Sequence, residues 1–185
     1  MLKQIKIPIF DSDKEVKEIL ENNDVVKKKI CNLWPDVIQI EKNDKKIDKS
    51  LLGNKIFSNM KYRKILESII HPQVEKRRNN FIKSEKNSYI VALDIPLLYE
   101  TGIDKICDYI FLVHAKTKIQ KKRVLARPRM TEEKFILINK VQWDYQKKKE
   151  KGPYLITTSY GKLISVIIII SHLSTILFKE KILKS

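Results

Sequence analysis

"IKIPIFDSDKEVKEIL", residues 5–20, decides what kind of fold this chain builds. Ile5, Ile7 and Ile9 alternate with Lys6 and Pro8, the period of a strand, whereas Val16, Ile19 and Leu20 recur at helical spacing. A strand therefore runs into a helix here, and open α/β sheets gather their ligands at the carboxyl ends of strands. Asp11 and Asp13 fall in that turn. Two readings of them stay open. Ser12 with Glu15 has the spacing of a capping box, and an aspartate in a first turn suits the positive end of the helix dipole. In the other reading the two carboxylates are catalytic.

Further along, strand patterns alternate with helical ones. "SYIVALDIPLL" (88–98) reads as a buried strand ended by a proline, and "CDYIFLVHA" (107–115) as a second. "TKIQKKRVLAR" (117–127) and "TEEKFILINKVQWDYQKKK" (131–149) read as helices, and "PYLITT" (153–158) as a last strand. Residues 24–85 read as helical apart from "DVIQIEKNDKKIDKS" (36–50), a polar, exposed connection. Such alternation predicts an α/β fold with a parallel sheet: one domain over 1–185, with a helical insertion over about 24–85.

The chain has 185 residues and a formal net charge of +16, which favours anionic partners. Only six of the basic residues are arginines, and Arg123, Arg127 and Arg129 cluster. Cys31 and Cys107 lie far apart without metal-ligand spacing, as two buried free thiols would, so no metal site is expected. MLKQIKIPIF has no apolar signal-peptide core, and the expected location is cytoplasmic. "LISVIIIISHLSTILF" (163–178) is shorter than a membrane span and carries Ser165, Ser171, His172, Ser174 and Thr175. It is expected to be a buried C-terminal helix, with no membrane partner and His172 at the helix edge or satisfied in the core.

Three clusters carry chemistry. Asp94 sits inside an apolar strand, where a buried carboxylate needs a partner: a structural pair, or a ligand at the strand end. Gln120, Arg123 and Arg127 share a helical face, and Arg127-Pro128-Arg129 then form a basic loop. A guanidinium fork suits phosphate, so that loop reads as a phosphate-covering lid over about 127–131, or else as a solvated basic face. His71 precedes a proline and marks either a site or a helix boundary.

Taken in order, "FDSD", "KIDKSLLGNKIFSN", "LESIIHP", "IPLLYETG", "YIFLV", the pair Gln120 and Arg123, Arg127, Gln142 in "NKVQ" and the final "LITTS" resemble the dephospho-CoA kinase family. The resemblance runs from about residue 7 to 165. It implies a P-loop kinase-like fold with a helical substrate-binding insertion and a lid. It also implies transfer of the ATP γ-phosphate to the ribose 3′-hydroxyl of dephospho-CoA, the last step of coenzyme A synthesis, with Mg²⁺. Carried over, Asp13 would be the base, while Asp11, His71, Asp94 and Pro96-Leu97-Leu98-Tyr99-Glu100 would hold the acceptor. Arg123 and Arg127 would reach the phosphates. The state expected is a monomer or weak homo-oligomer.

The chain departs from that pattern at its start. A P-loop kinase needs G-x-x-x-x-G-K-[ST], and Gly53, Gly102, Gly152 and Gly161 form no such loop. The expectation is therefore an N-terminally truncated member, impaired in turnover. Two alternatives accompany it: a non-catalytic dephospho-CoA-binding remnant, and a basic nucleic-acid-binding module. The latter has only charge in its favour, since no readout motif is present, and no nucleic-acid partner is expected.

Overall fold

A computed structural model describes residues 6–41, 44–128 and 130–183. The chain divides into two compact units, Leu2–Pro96 and Leu97–Ser185.

The first unit opens with β1 (Ile9–Asp11) and α1 (Ser12–Asn22). The strand is later than its alternation predicts. Pro8 has no N–H to give a ladder, and its carbonyl accepts from Ala92 N at 2.9 Å just before pairing begins. β1 pairs in parallel with β4 (Ala92–Asp94), Ile9 opposite Ala92 and Asp11 opposite Asp94. The expected long buried strand over 88–98 is thus three residues, and it ends on an exposed Asp94 before Pro96.

Between β1 and β4 lie α2 (Asp24–Leu33), a 3₁₀ turn (Pro35–Val37), β2 (Ile38–Glu41), β3 (Asp44–Ile47), α3 (Lys49–Ser58) and α4 (Met60–Ser84). The predicted polar connection is in fact an antiparallel hairpin, with Ile38 opposite Ile47. Its apolar residues answer to the core: Val37 is fully buried and Ile47 packs on the same cluster. That cluster joins Ile19, Val26, Ile30, Leu52, Leu66 and Ile70 from the four helices with Trp34, which follows α2. Pro72 lies inside α4, so His71-Pro72 is no helix boundary. The helix runs through because tertiary packing on both sides of the proline, at Leu66, Ile70 and Arg78, holds it.

The second unit holds β5 (Phe111–His114), α5 (Thr117–Leu125), α6 (Glu132–Val141), α7 (Tyr145–Lys149), β6 (Tyr154–Thr157) and α8 (Lys162–Leu183). β5 and β6 are parallel, Phe111 opposite Tyr154 and His114 opposite Thr157. The helix expected over 131–149 is broken at Gln142–Asp144, where Asp144 caps α7 by accepting from Lys147 N. Each parallel pair forms a two-stranded sheet within its own unit, in keeping with the predicted α/β class. α8 packs one stripe, Ser165, Ile169, Leu173 and Ile176, into its unit. The expectation of a buried C-terminal helix holds for that stripe and is corrected elsewhere: Leu163, Ile167 and Phe178 are 74%, 58% and 67% exposed. Apolar residues fall on every side of the helix, and the side that meets β6 is the one its unit covers. Cys31 and Cys107 form no disulfide, and both are half-buried rather than buried.

Candidate active site

Asp11 ends β1 and caps α1, its Oδ1 accepting from Lys14 N at 3.0 Å. The expected capping box on Ser12 does not form, because the helix begins one residue earlier than that motif requires. Glu15 turns away instead: its Oε2 accepts from Arg77 Nη1 at 2.8 Å, and Glu18 receives the same nitrogen at 3.3 Å. Asp13 is thereby left in the first turn with no capping hydrogen bond to make.

Parallel pairing sets Asp94 opposite Asp11. Three carboxylates therefore gather at the carboxyl ends of β1 and β4. Loss of hydration raises Asp13 above the ordinary carboxylate value of 3.8, and the negative charges of Asp11 and Asp94 raise it further. Asp94 is raised by the same two effects, desolvation first and then Asp11. Asp94 is exposed, so it does not need the buried cation its sequence context suggests. Among the described residues, no three His, Cys, Asp or Glu side chains stand close enough to hold a metal ion.

Beside Asp13 a groove of about 290 Å³ opens between α1, α3 and α4. Val16, Leu20, Leu52, Ile56, Leu66 and Ile70 make it apolar, while Lys17 and Lys49 line it with Asp13. Lys49 also bonds Glu21. His71 follows the groove residue Ile70 on α4 but is itself exposed. Neither lysine stands out in a chain this rich in lysine, and only the packing of three helices selects them.

In the second unit, the turn after Pro96 carries Leu97, Leu98, Tyr99 and Glu100 and closes at Gly102, whose φ of +70° favours glycine. Tyr99 is buried and its ring stacks on Trp143 at 6.0 Å. The Glu100 carboxylate is held inside its own unit. Its Oε1 accepts from Trp143 N at 2.7 Å and from Lys148 Nζ at 2.9 Å, with both charged side chains about nine-tenths buried. Burial by itself would raise Glu100, but Lys148 and the Trp143 N–H outweigh it and hold the carboxyl below its usual 4.5. Lys147 completes the cluster, 3.8 Å over the Trp143 ring. The one sequence signal for this arrangement is a lone tryptophan in a lysine-rich helical stretch.

Arg123 is likewise engaged, donating to Thr158 Oγ1 at 3.1 Å and Thr158 O at 2.9 Å. It fixes the turn after β6 to α5. Arg127 lies beyond the end of α5, exposed, and Arg129 falls outside the described residues. The structure thus brings Asp11, Asp13 and Asp94 together in one unit and sets Arg123, Arg127 and Glu100 in the other.

Helices joined to parallel strand pairs, with carboxylates collected at the strand ends of the first unit, make this an α/β fold. A crystal structure from Thermus thermophilus, TT1252, shares it over 95% of this chain and 87% of its own, at a TM-score of 0.76 and 21% identity. So does a dephospho-CoA kinase from Campylobacter jejuni, over 94% and 87%, at a TM-score of 0.66 and 22% identity. A family model described as dephospho-CoA kinase matches residues 1–163. Curated dephospho-CoA kinases from Zymomonas mobilis and Bartonella quintana are 34% and 33% identical. They align over 83% and 84% of this chain, and 76% and 78% of their own lengths. The chain belongs to the dephospho-CoA kinase family.

Proposed function

We propose that the protein serves ATP-dependent phosphorylation of the ribose 3′-hydroxyl of dephospho-CoA, with Asp13 taking the hydroxyl proton. The observation that carries this reading is the Asp13 carboxyl itself: in the first turn of the helix that follows a paired strand, without a capping role, and with its proton affinity raised. A base whose pKa lies closer to the working pH accepts a proton more effectively. As the hydroxyl oxygen attacks the γ-phosphorus, its proton passes to Asp13 and ADP leaves. Asp11, His71, Asp94 and the turn at Pro96, Leu97 and Leu98 hold the acceptor, and Glu100 keeps that turn in place through Trp143 and Lys148. Arg127 neutralises charge that builds on the transferred phosphoryl group. Mg²⁺ enters kinase sites on phosphates and needs only one or two carboxylates besides, a donor set that the acidic strand ends fit.

The stretch of 185 residues contains no G-x-x-x-x-G-K-[ST], the loop whose N–H groups and lysine hold ATP phosphates. In our reading, acceptor recognition and proton removal reside in these residues, and efficient transfer needs a phosphate loop joined to them. Calorimetric titration with dephospho-CoA, run beside a coenzyme A formation assay, tests both halves. The expected result is saturable binding with turnover far below the ~1–100 s⁻¹ of kinases. Absence of binding contradicts the acceptor site. Turnover in that range contradicts the need for the loop.

A further inference from the structure

α8 carries an apolar face that its own unit does not use. Ile169, Leu173 and Ile176 are buried, and polar contacts pin the same side of the helix. Ser165 Oγ donates to Thr157 O at 3.0 Å, His172 Nε2 lies 3.2 Å from Leu155 O, and Tyr109 OH donates to Glu180 Oε1 at 2.7 Å. On the opposite side Leu163, Ile167, Ile170, Leu177 and Phe178 recur at helical spacing, each at least 45% exposed. At 22 residues the helix is about 33 Å long, and by length and composition it could cross a membrane. Crossing would strip away the contacts with β6 and Tyr109 just described. Lying flat keeps them and still buries the free face.

Charge selects what covers that face. Residues 97–185 carry eighteen Lys and Arg against eight Asp and Glu, and the whole chain is +16. Lys162, Lys179 and Lys181 flank the apolar stripe and are exposed. A second copy would bring the same positive charge to the contact and be repelled. An anionic lipid surface satisfies the apolar stripe and the lysines together, which is how interfacial helices bind. The family model's match ends at residue 163, near the start of α8, and the inference uses none of the residues assigned to the kinase reaction. We propose that α8 is an interfacial anchor that lays its Leu163–Ile167–Phe178 face on an anionic membrane surface.

Co-sedimentation of the full chain with phosphatidylglycerol-containing vesicles and with pure phosphatidylcholine vesicles tests this. Anionic vesicles should bind it at least tenfold more tightly, and the preference should shrink as salt rises. Ile167→Glu with Phe178→Glu places two charges on the solvent side of the helix, and circular dichroism checks that the fold persists. This variant should lose at least tenfold in vesicle affinity. A second variant, Lys162→Gln with Lys179→Gln and Lys181→Gln, leaves the apolar face intact and should lose mainly the preference for anionic lipid. The proposal is overturned if the chain ignores anionic vesicles, or if the double variant binds as the parent does. It is equally overturned if light scattering finds a dimer that the double variant dissolves, since a second copy then covers the face.

Discussion

Asp11 and Asp13 are two residues apart and carry different loads. Asp11 holds the N-terminus of α1 through its bond to Lys14 N, so Asp11→Ala should cost about 1 kcal/mol of unfolding free energy. Asn caps as well as Asp, so Asp11→Asn should be nearly neutral in denaturant titrations; equal losses in both variants would contradict the capping role. Asp13 makes no such bond, and its raised pKa means that the folded state resists its ionisation. The sign follows from linkage: this penalty is absent below the unfolded value near 3.8 and is complete once pH has risen through the raised folded value. Asp13→Asn should therefore melt no lower than the parent at pH 7, with any gain vanishing below pH 3.8. A clear drop in melting temperature at neutral pH would mean that the carboxylate is structural.

Sequence pattern located the strand-to-helix turn but gave the cap to the wrong residue. Ser12-x-x-Glu15 satisfies the local rule, yet Arg77, 62 residues away, competes for Glu15. Local motifs are blind to such partners. The same blindness applies to Glu100, assigned by resemblance to the acceptor and found bonded to Trp143 and Lys148.

Elements were legible where one period dominated. β6 and α5 follow their patterns closely, and β5 keeps only Phe111–His114 of the strand expected over 107–115. The β2–β3 hairpin was missed: its lysines mask a single apolar face, and pairing across the hairpin is a non-local choice. The break at Gln142–Asp144 was missed too, since aspartate caps compete with helix interior only when tertiary contacts reward them. Here the reward is the Glu100 carboxylate meeting Trp143 N at the break. Glu100→Ala should leave Lys148 buried without its partner, and removal of one member of a buried pair costs roughly 3–5 kcal/mol. Thermal or denaturant unfolding measures it. Because the folded pKa of Glu100 is lowered, its contribution is complete above 4.5 and declines as pH falls through the lowered value, so the parent–variant gap should close in acid. A gap that is small at pH 7 would show that the pair does not hold the break.

On the scale of the molecule, the α/β class, the parallel pairing and the family were all readable, because "FDSD", "LESIIHP" and "IPLLYETG" carry order and spacing together. The division at Pro96 and the half-bare α8 were not, since both depend on which surfaces find partners after the elements form. The central claim concerns one atom group, the Asp13 carboxylate, as proton acceptor for the acceptor hydroxyl. The most direct test is the turnover number for coenzyme A formation by a chain extended at its N-terminus with a strand, a G-x-x-x-x-G-K-[ST] loop and a helix. Asp13→Asn in that protein should lower turnover by ~10²–10⁴-fold, the usual worth of a general base, with dephospho-CoA affinity little changed. Turnover equal to the parent's, measured per folded molecule, would contradict the account.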